Sequence, residues 1–304
     1  MQAFDYSTRQ IAKSIGRTHT SVLREIRRNA NDSETWQEKA RKAQELSNQR
    51  ISCANSHVKI SEEAKIFIVD QVDRLRVSPS IIEAIPSYNK ISGNVKKDAI
   101  YRFIRAEKSE LLIKLPGSKR RKRKVGKRKP LPKRAEPKIS IELRPKNQQK
   151  KLGFIQGDTM HGKKGSQVLA TLIDQESHVM KLKRMLSTDA DSFYDACSTL
   201  IPNFELASNL LLDNGPETYC YPELKTDLNL DVYFCHPLAA WEKGCLENRI
   251  GVLRLFIPKS TDIALLTDEQ IQQIEFLVNS RPLRILGGLT PFEYEKSLLT
   301  QSLS

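Results

Sequence analysis

The chain has 304 residues, enough for two or three domains and a sizeable core, and its 50 Lys/Arg against 36 Asp/Glu give a formal net charge of +14. It holds no run of 18 apolar residues and opens on Met1-Gln2-Ala3-Phe4-Asp5, and its five cysteines are scattered and odd in number, which excludes a membrane span, a secretory signal and a disulfide scaffold and points to reduced thiols in a cytosolic protein. The charge is lopsided: residues 1–150 carry 36 basic and 16 acidic side chains and residues 151–304 carry 14 and 20, the signature of a polyanion-binding front joined to a half with another task.

In chain order, residues 7–29 predict two short helices. Ile11, Ala12 and Ile15 share a helical face, Gly16 permits a tight turn, and Thr18 can cap a second helix whose inner face is Val22, Leu23 and Ile26. This is the pattern of a helix-turn-helix, whose second helix enters the major groove. His19, Thr20 and Ser21 would then face base edges, with Arg24, Arg27 and Arg28 near phosphates. A basic helical hairpin with no DNA role fits the same residues. A downstream helix over Trp36–Leu46 is the candidate cover for the apolar face. Residues 1–50 are read as this segment and 51–115 as a further helical region. In the latter, Ser78-Pro79-Ser80-Ile81-Ile82 opens a short helix and Val95–Ile104 forms a basic amphipathic one. Together they make either a second helix-turn-helix or a spacer.

Residues 116–150 form a basic linker. Lys119-Arg120-Arg121-Lys122-Arg123-Lys124 opens a stretch to Arg134 with eleven Lys/Arg and no acid, and Pro116, Gly117, Gly126, Pro130, Pro132 and Pro137 break any helix there. A solvated tether and a phosphate-tracking arm both suit such a run; in the second, each neutralised phosphate releases counterions.

Residues 151–304 change character. Short β-rich runs, Phe154–Thr159, Val168–Ile173, Val179–Leu186, Leu210–Leu212 and Val232–Phe234, precede or alternate with helical stretches near Asp191–Ile201, Tyr221–Leu228, Cys245–Phe256, Asp268–Asn279 and Pro291–Leu298. That order predicts an α/β layer fold with a mixed sheet. Asp158 ends one apolar run, Asp213 follows another and precedes the turn Asn214-Gly215, and Glu247 stands near a helix start. Carboxylates so placed can converge, and their hard oxygens suit Mg²⁺ or Mn²⁺; two such ions can drive in-line phosphoryl displacement.

These residues also carry a resemblance. Gln10-Ile11-Ala12 to Arg27-Arg28-Asn29, Gly157-Asp158-Thr159, Asp213-Asn214-Gly215 and the block Tyr233-Phe234-Cys235-His236-Pro237, Trp241-Glu242-Lys243-Gly244, Glu247-Asn248, Pro258-Lys259, Thr261-Asp262, Asn279-Ser280-Arg281-Pro282 and Thr290-Pro291 resemble the insertion-sequence-thirty family of bacterial DDE transposases. Thirty-three residues lie between Asp213 and Glu247, the spacing characteristic of that family. The resemblance implies an integrase-type, ribonuclease-H-like core after an all-α helix-turn-helix region, with Asp158, Asp213 and Glu247 as catalytic and metal-binding triad holding two Mg²⁺ or Mn²⁺ ions. It implies binding of the element's terminal inverted repeats and of target DNA, cleavage and strand transfer, a homo-oligomer in the DNA complex, and a bacterial cytoplasmic, nucleoid-associated location. It also implies a further helix ahead of the helix-turn-helix, where only Met1–Tyr6 stand, so either the start is late or this copy is decayed. Four positions depart from the family pattern: Ile155-Gln156 replace Trp-Glu, Ala240 replaces Pro, and Leu246 replaces Asn.

Among the remaining residues, Trp241 reads as a packing aromatic that positions the Glu247 helix, and Lys243 and Arg254 as DNA contacts. Cys220, Cys235, His236 and Cys245 fit no zinc spacing, nor do Cys53 and His57. The alternatives to an active transposase are a catalytically impaired DNA-binding repressor and a ribonuclease-H-type nuclease without strand transfer.

Overall fold

Two apolar segments of opposite habit, a β-rich one after residue 152 and a helical one before 116, organise most of the molecule. The computed structural model describes residues 7–29, 45, 46, 48, 60–116, 138–145, 152–237 and 239–302. They fall into two units, Met1–Lys59 and Ile60–Ser304. The linker block Lys119–Arg134 and, apart from residues 45 and 46, the Trp36–Leu46 helix lie outside the described residues.

In the first unit, α1 (Thr8–Ser14) begins at a capping box in which Ser7 and Gln10 satisfy each other's backbone N–H. Gly16, at φ +63°, makes the turn into α2 (His19–Asn29). Thr18 accepts from the Ser21 N–H, as expected of a cap. Ala12 and Val22 are buried between the helices, whereas Ile15 is 58% exposed and so stands off the expected inner face.

The second unit begins with four helices, α3 (Glu62–Asp73), α4 (Pro79–Ile82), α5 (Pro86–Ser92) and α6 (Lys97–Glu107). Their shared core is Ile68, Val72, Val77, Ile82, Tyr88, Ile100 and Ile104. This bundle is continuous with the rest of the unit: Leu277 packs against it, and Arg281 donates to the Arg76 carbonyl at 3.1 Å.

The sheet holds β1 (Phe154–His161), β2 (Val168–Asp174), β3 (Met180–Met185), β4 (Asn209–Leu212) and β5 (Asp231–Phe234) in the order β3-β2-β1-β4-β5. β1 and β2, and β2 and β3, pair antiparallel; β4 adds to β1 in parallel and β5 to β4 likewise. This mixed five-stranded sheet with helices is the α/β layer arrangement expected from the order of elements in the sequence. Each parallel addition needs a crossover helix, supplied by α7 (Ala190–Leu200) and α8 (Tyr221–Asp227). β2 is buried at all seven positions, as a strand covered on both faces must be.

One sheet face carries Ile155, Ala170, Leu172, Leu210 and Leu212 against α7 and α8. The opposite face carries Met160, Leu169, Ile173 and Met180 against α9 (Gly244–Leu253) and α10 (Asp268–Asn279). The last helix, α11 (Pro291–Ser302), sends Phe292 toward the first of these cores. Edge strand β3 does not present a bare ladder. Buried Asn279 accepts from the Met180 N–H at 2.8 Å and donates to its carbonyl at 2.7 Å, and Glu275 accepts from the Leu182 N–H at 2.6 Å. Helix α10 thus occupies hydrogen-bonding positions that another strand would take, which blunts the edge.

Candidate active site

Register brings the first two acids together. β1 pairs with β4 in parallel at Gln156↔Leu211, and Asp158 and Asp213 each lie two residues beyond that pair. Side chains repeat every two residues along a strand, so equal offsets on neighbouring strands place the two carboxylates side by side. Asp158 is not at the end of its strand, as the sequence suggested, because β1 continues to His161 in antiparallel pairing with β2, Asp158 opposite Thr171. It lies where the pairing with β4 stops.

Each aspartate uses one oxygen to fix itself on the backbone. Asp158 Oδ1 accepts from the Thr159 N–H at 2.8 Å, and Asp213 Oδ1 accepts from the Gly215 N–H at 2.9 Å. Their Oδ2 atoms turn to the Lys243 ammonium, at 3.1 Å from Asp158 and 4.0 Å from Asp213. Lys243 Nζ also donates to the Gly157 carbonyl at 3.2 Å. Gly157 leaves no room for a side chain: a Cβ there would sit 2.9 Å from Leu212 Cδ2 and 3.0 Å from Leu172 Cδ2.

A third acid, not anticipated from the sequence, completes the cluster. Asp158, Asp213 and Glu217 each bring one carboxylate oxygen within 4.8 Å of the others. Glu217 follows the Asn214-Gly215 turn and folds back over Gly215, where any Cβ would collide with its carboxylate. Burial, and the neighbouring Asp213 and Asp158 charges, raise the Glu217 carboxyl above its usual range. The only linear hint was an acid two residues past a glycine turn. Three hard oxygens this close can hold a divalent cation such as Mg²⁺ or Mn²⁺.

Glu247 lies on α9, one turn after Lys243, and is exposed. It is not among the three acids that the structure gathers. Gln156, at a position where the resemblance leads to an expected Glu, holds that helix: its Oε1 accepts from the Leu246 N–H at 3.2 Å and its amide donates to Gln175 at 3.4 Å. The amide oxygen accepts the Leu246 bond as a carboxylate would, so the departure leaves the helix anchored. Arg254 donates to the His161 carbonyl at 2.6 Å and pins the far end of α9 to β1. Trp241 corrects an expectation: it is 78% exposed and does not pack beneath the Glu247 helix.

The segment leading into α9 is clasped by a local pair. His236 Nδ1 and Glu242 Oε1 are 2.8 Å apart, and Glu242 Oε2 accepts from the His236 N–H at 2.8 Å. Glu242 raises the His236 imidazole above its ordinary value; burial opposes ionisation of Glu242, but the bonds from His236 leave its carboxyl below the usual range. Asn214 donates to the Cys235 carbonyl at 2.7 Å and ties the β4 turn to the same segment. Cys245 lies 3.2 Å from His178 Nδ1, and the four described cysteines are all free thiols.

At the front of the chain, Thr20, Ser21 and Arg24 are exposed on α2. His19 is half-buried and bonded to Thr8 Oγ1 at 2.9 Å, linking the two helices. The side chains of Arg27 and Arg28, and Lys119, Arg120, Arg121, Lys122, Arg123 and Lys124, lie outside the described residues. Among the described residues no helix is long and apolar enough to cross a membrane.

No family model matches the chain. It is 27% identical to the transposase for insertion sequence element IS1086 of Cupriavidus metallidurans, an alignment covering 96% of this chain and 89% of that protein. It is 29% identical to the transposase for IS4351 of Bacteroides fragilis, covering 97% and 92%, and 32% identical to transposase InsI of IS30A from Escherichia coli, covering 47% and 37%. Among solved structures, the catalytic core domain of BIV integrase aligns with a TM-score of 0.40 at 17% identity, over 50% of this chain and 99% of that one.

Proposed function

We infer that this chain is an insertion-element transposase, a DDE-type polynucleotidyl transferase acting in DNA transposition and recombination. The observation that carries the reading is the meeting of Asp158 and Asp213 where β1 and β4 part, in a chain aligned along nearly its whole length with insertion-sequence transposases. Asp158, Asp213 and Glu247 would hold the Mg²⁺ or Mn²⁺, two ions, which when bound would polarise phosphoryl oxygens and make water a stronger nucleophile. The chain's own residues would supply position. Asp158 and Asp213, each locked by one oxygen, would present the other to the reacting centre, and Gln156 and Arg254 would hold α9 at both ends. Water would cut the element's ends to free 3′-hydroxyls, which would then attack target phosphodiesters. Charge stabilisation and alignment suffice for such displacements without a covalent protein intermediate.

Thr20, Ser21 and Arg24, with His19, Arg27 and Arg28, would read the terminal repeats. Residues 119–124, with Lys243 and Arg254, would contact phosphates without sequence preference. The domain plan proposed is 1–50 for recognition, 51–115 a helical region, 116–150 a basic linker and 151–304 the catalytic core. Two element ends must be joined, which supports a homo-oligomer on DNA; the free thiols support a cytoplasmic setting.

Purified Asp158→Asn, Asp213→Asn and Glu247→Gln proteins should lose metal-dependent nicking of end-bearing DNA while binding that DNA as the parent does. A single variant that keeps nicking removes its residue from the triad. Loss of nicking by Glu217→Gln with retention by Glu247→Gln would instead make Glu217 the third ligand.

A further inference from the structure

We propose that Lys243 is the site's built-in counter-ion, a lysine that holds the catalytic carboxylates together in the metal-free protein and must leave them when a divalent metal binds. The inference rests on the reading of Asp158 and Asp213 as metal ligands. Its support is positional. Lys243 has a side chain only 9% exposed, and its ammonium lies 3.1 Å from Asp158 Oδ2, 4.0 Å from Asp213 Oδ2 and 3.2 Å from the Gly157 carbonyl. It therefore sits among the oxygens that the two aspartates do not use on their own backbone.

Three carboxylates with oxygens within 4.8 Å repel one another, and a half-buried setting weakens the screening that would relieve them. A buried ammonium 3.1 Å from one of those carboxylates and 4.0 Å from a second offsets that repulsion. A metal ion would need the same Oδ2 lone pairs, and its charge repels the ammonium, so the two cations exclude each other. Lys243 belongs to the short helical turn Ala240–Lys243 that leads into α9, and its flexible four-carbon stem permits the ammonium to swing out without moving the carboxylates. The exchange leaves a cation beside the carboxylates both before and after loading. It also makes metal affinity a property of a residue outside the ligand set.

The full-length protein, stripped with EDTA, is titrated calorimetrically with Mn²⁺ alone. Lys243→Gln should melt at a lower temperature than the parent in EDTA yet bind Mn²⁺ about tenfold more tightly, because the competing charge is gone. Lys243→Arg, which keeps the charge, should bind Mn²⁺ no more tightly than the parent. If Lys243→Gln does not fold, the parent protein gives the answer by amine acylation read by mass spectrometry: Lys243 should be protected in EDTA and become reactive as Mn²⁺ is added. Unchanged or weaker Mn²⁺ binding by Lys243→Gln, or unchanged Lys243 reactivity in the parent, overturns the counter-ion role alone. No Mn²⁺ binding by the parent removes the metal reading and the counter-ion role together.

Discussion

Two polar clusters on the same sheet behave in opposite ways. Where β1 and β4 part, Asp158, Asp213 and Glu217 face one another with a single described ammonium among them, and the like charges are left close together. Along the β3 edge, Asn279 and Glu275 turn their oxygens and amide onto the strand's own N–H and C=O groups. Beside them Arg249 is buried, donates to the Val278 carbonyl at 2.9 Å, and is lowered to about 10 by burial and by nearby Arg281. The first cluster leaves like charges close together where a cation can be held; the second is closed on the backbone and stabilises the fold. Lys243 of the first cluster and Asn279 of the second both stand in the stretch from Tyr233 to Pro291, so that stretch serves both clusters.

The largest effect expected from breaking this contrast is at Asn279. Asn279→Ala would leave the Met180 N–H and C=O buried without partners, and each such group costs about 1–3 kcal/mol. Loss of about 2–5 kcal/mol in urea unfolding is expected, with any fall in nicking explained by the unfolded fraction. A variant as stable as the parent would show that the β3 edge does not depend on α10. By contrast, Asp158→Asn removes one of several crowded charges and should change stability far less than Asn279→Ala while abolishing nicking.

A smaller effect sharpens the same contrast beside the acids. Because Trp241 is 78% exposed, Trp241→Ala should stay within about 0.5 kcal/mol of the parent, against about 3–5 kcal/mol for a buried tryptophan. A loss of several kcal/mol would restore the packing role that the sequence suggested.

The strands were readable because apolar runs bounded by Gly, Asn and Asp mark them: all five and the five helices of the core stand within a few residues of their expected places. Asp158 and Asp213 were readable from position relative to those runs. Glu217 was not, because only the fold of the Gly215 turn brings its carboxylate back, and linear spacing carries no such information. The place of Lys243 was not readable for the same reason: nothing in Trp241-Glu242-Lys243-Gly244 says that the ammonium points inward to Gly157 and Asp158. Asn279 and Arg281 were visible as a motif, but their purpose, bonding to Met180 and Arg76, needs partners about 100 and 200 residues away.

The smallest effect is a pH dependence in the clasp that leads into α9. Glu242 holds the His236 imidazole above its ordinary value of 6.5, and His236 leaves Glu242 below its ordinary 4.5. A raised histidine contributes stability that is fully present below 6.5 and fades as pH rises through its higher folded value; a lowered carboxylate contributes above 4.5 and fades as pH falls through its lower one. The clasp is therefore strongest between about pH 4.5 and 6.5 and weakens toward alkaline pH, only slightly because His236 is exposed and solvent screens it. In Glu242→Gln the imidazole should titrate closer to 6.5, followed by the His236 ring resonances in an NMR titration. The small alkaline loss of melting temperature should flatten with it. If the ring titrates at the same pH in parent and variant, the carboxylate does not hold the histidine and the loop before Lys243 is ordered by Asn214 and the Cys235 carbonyl instead.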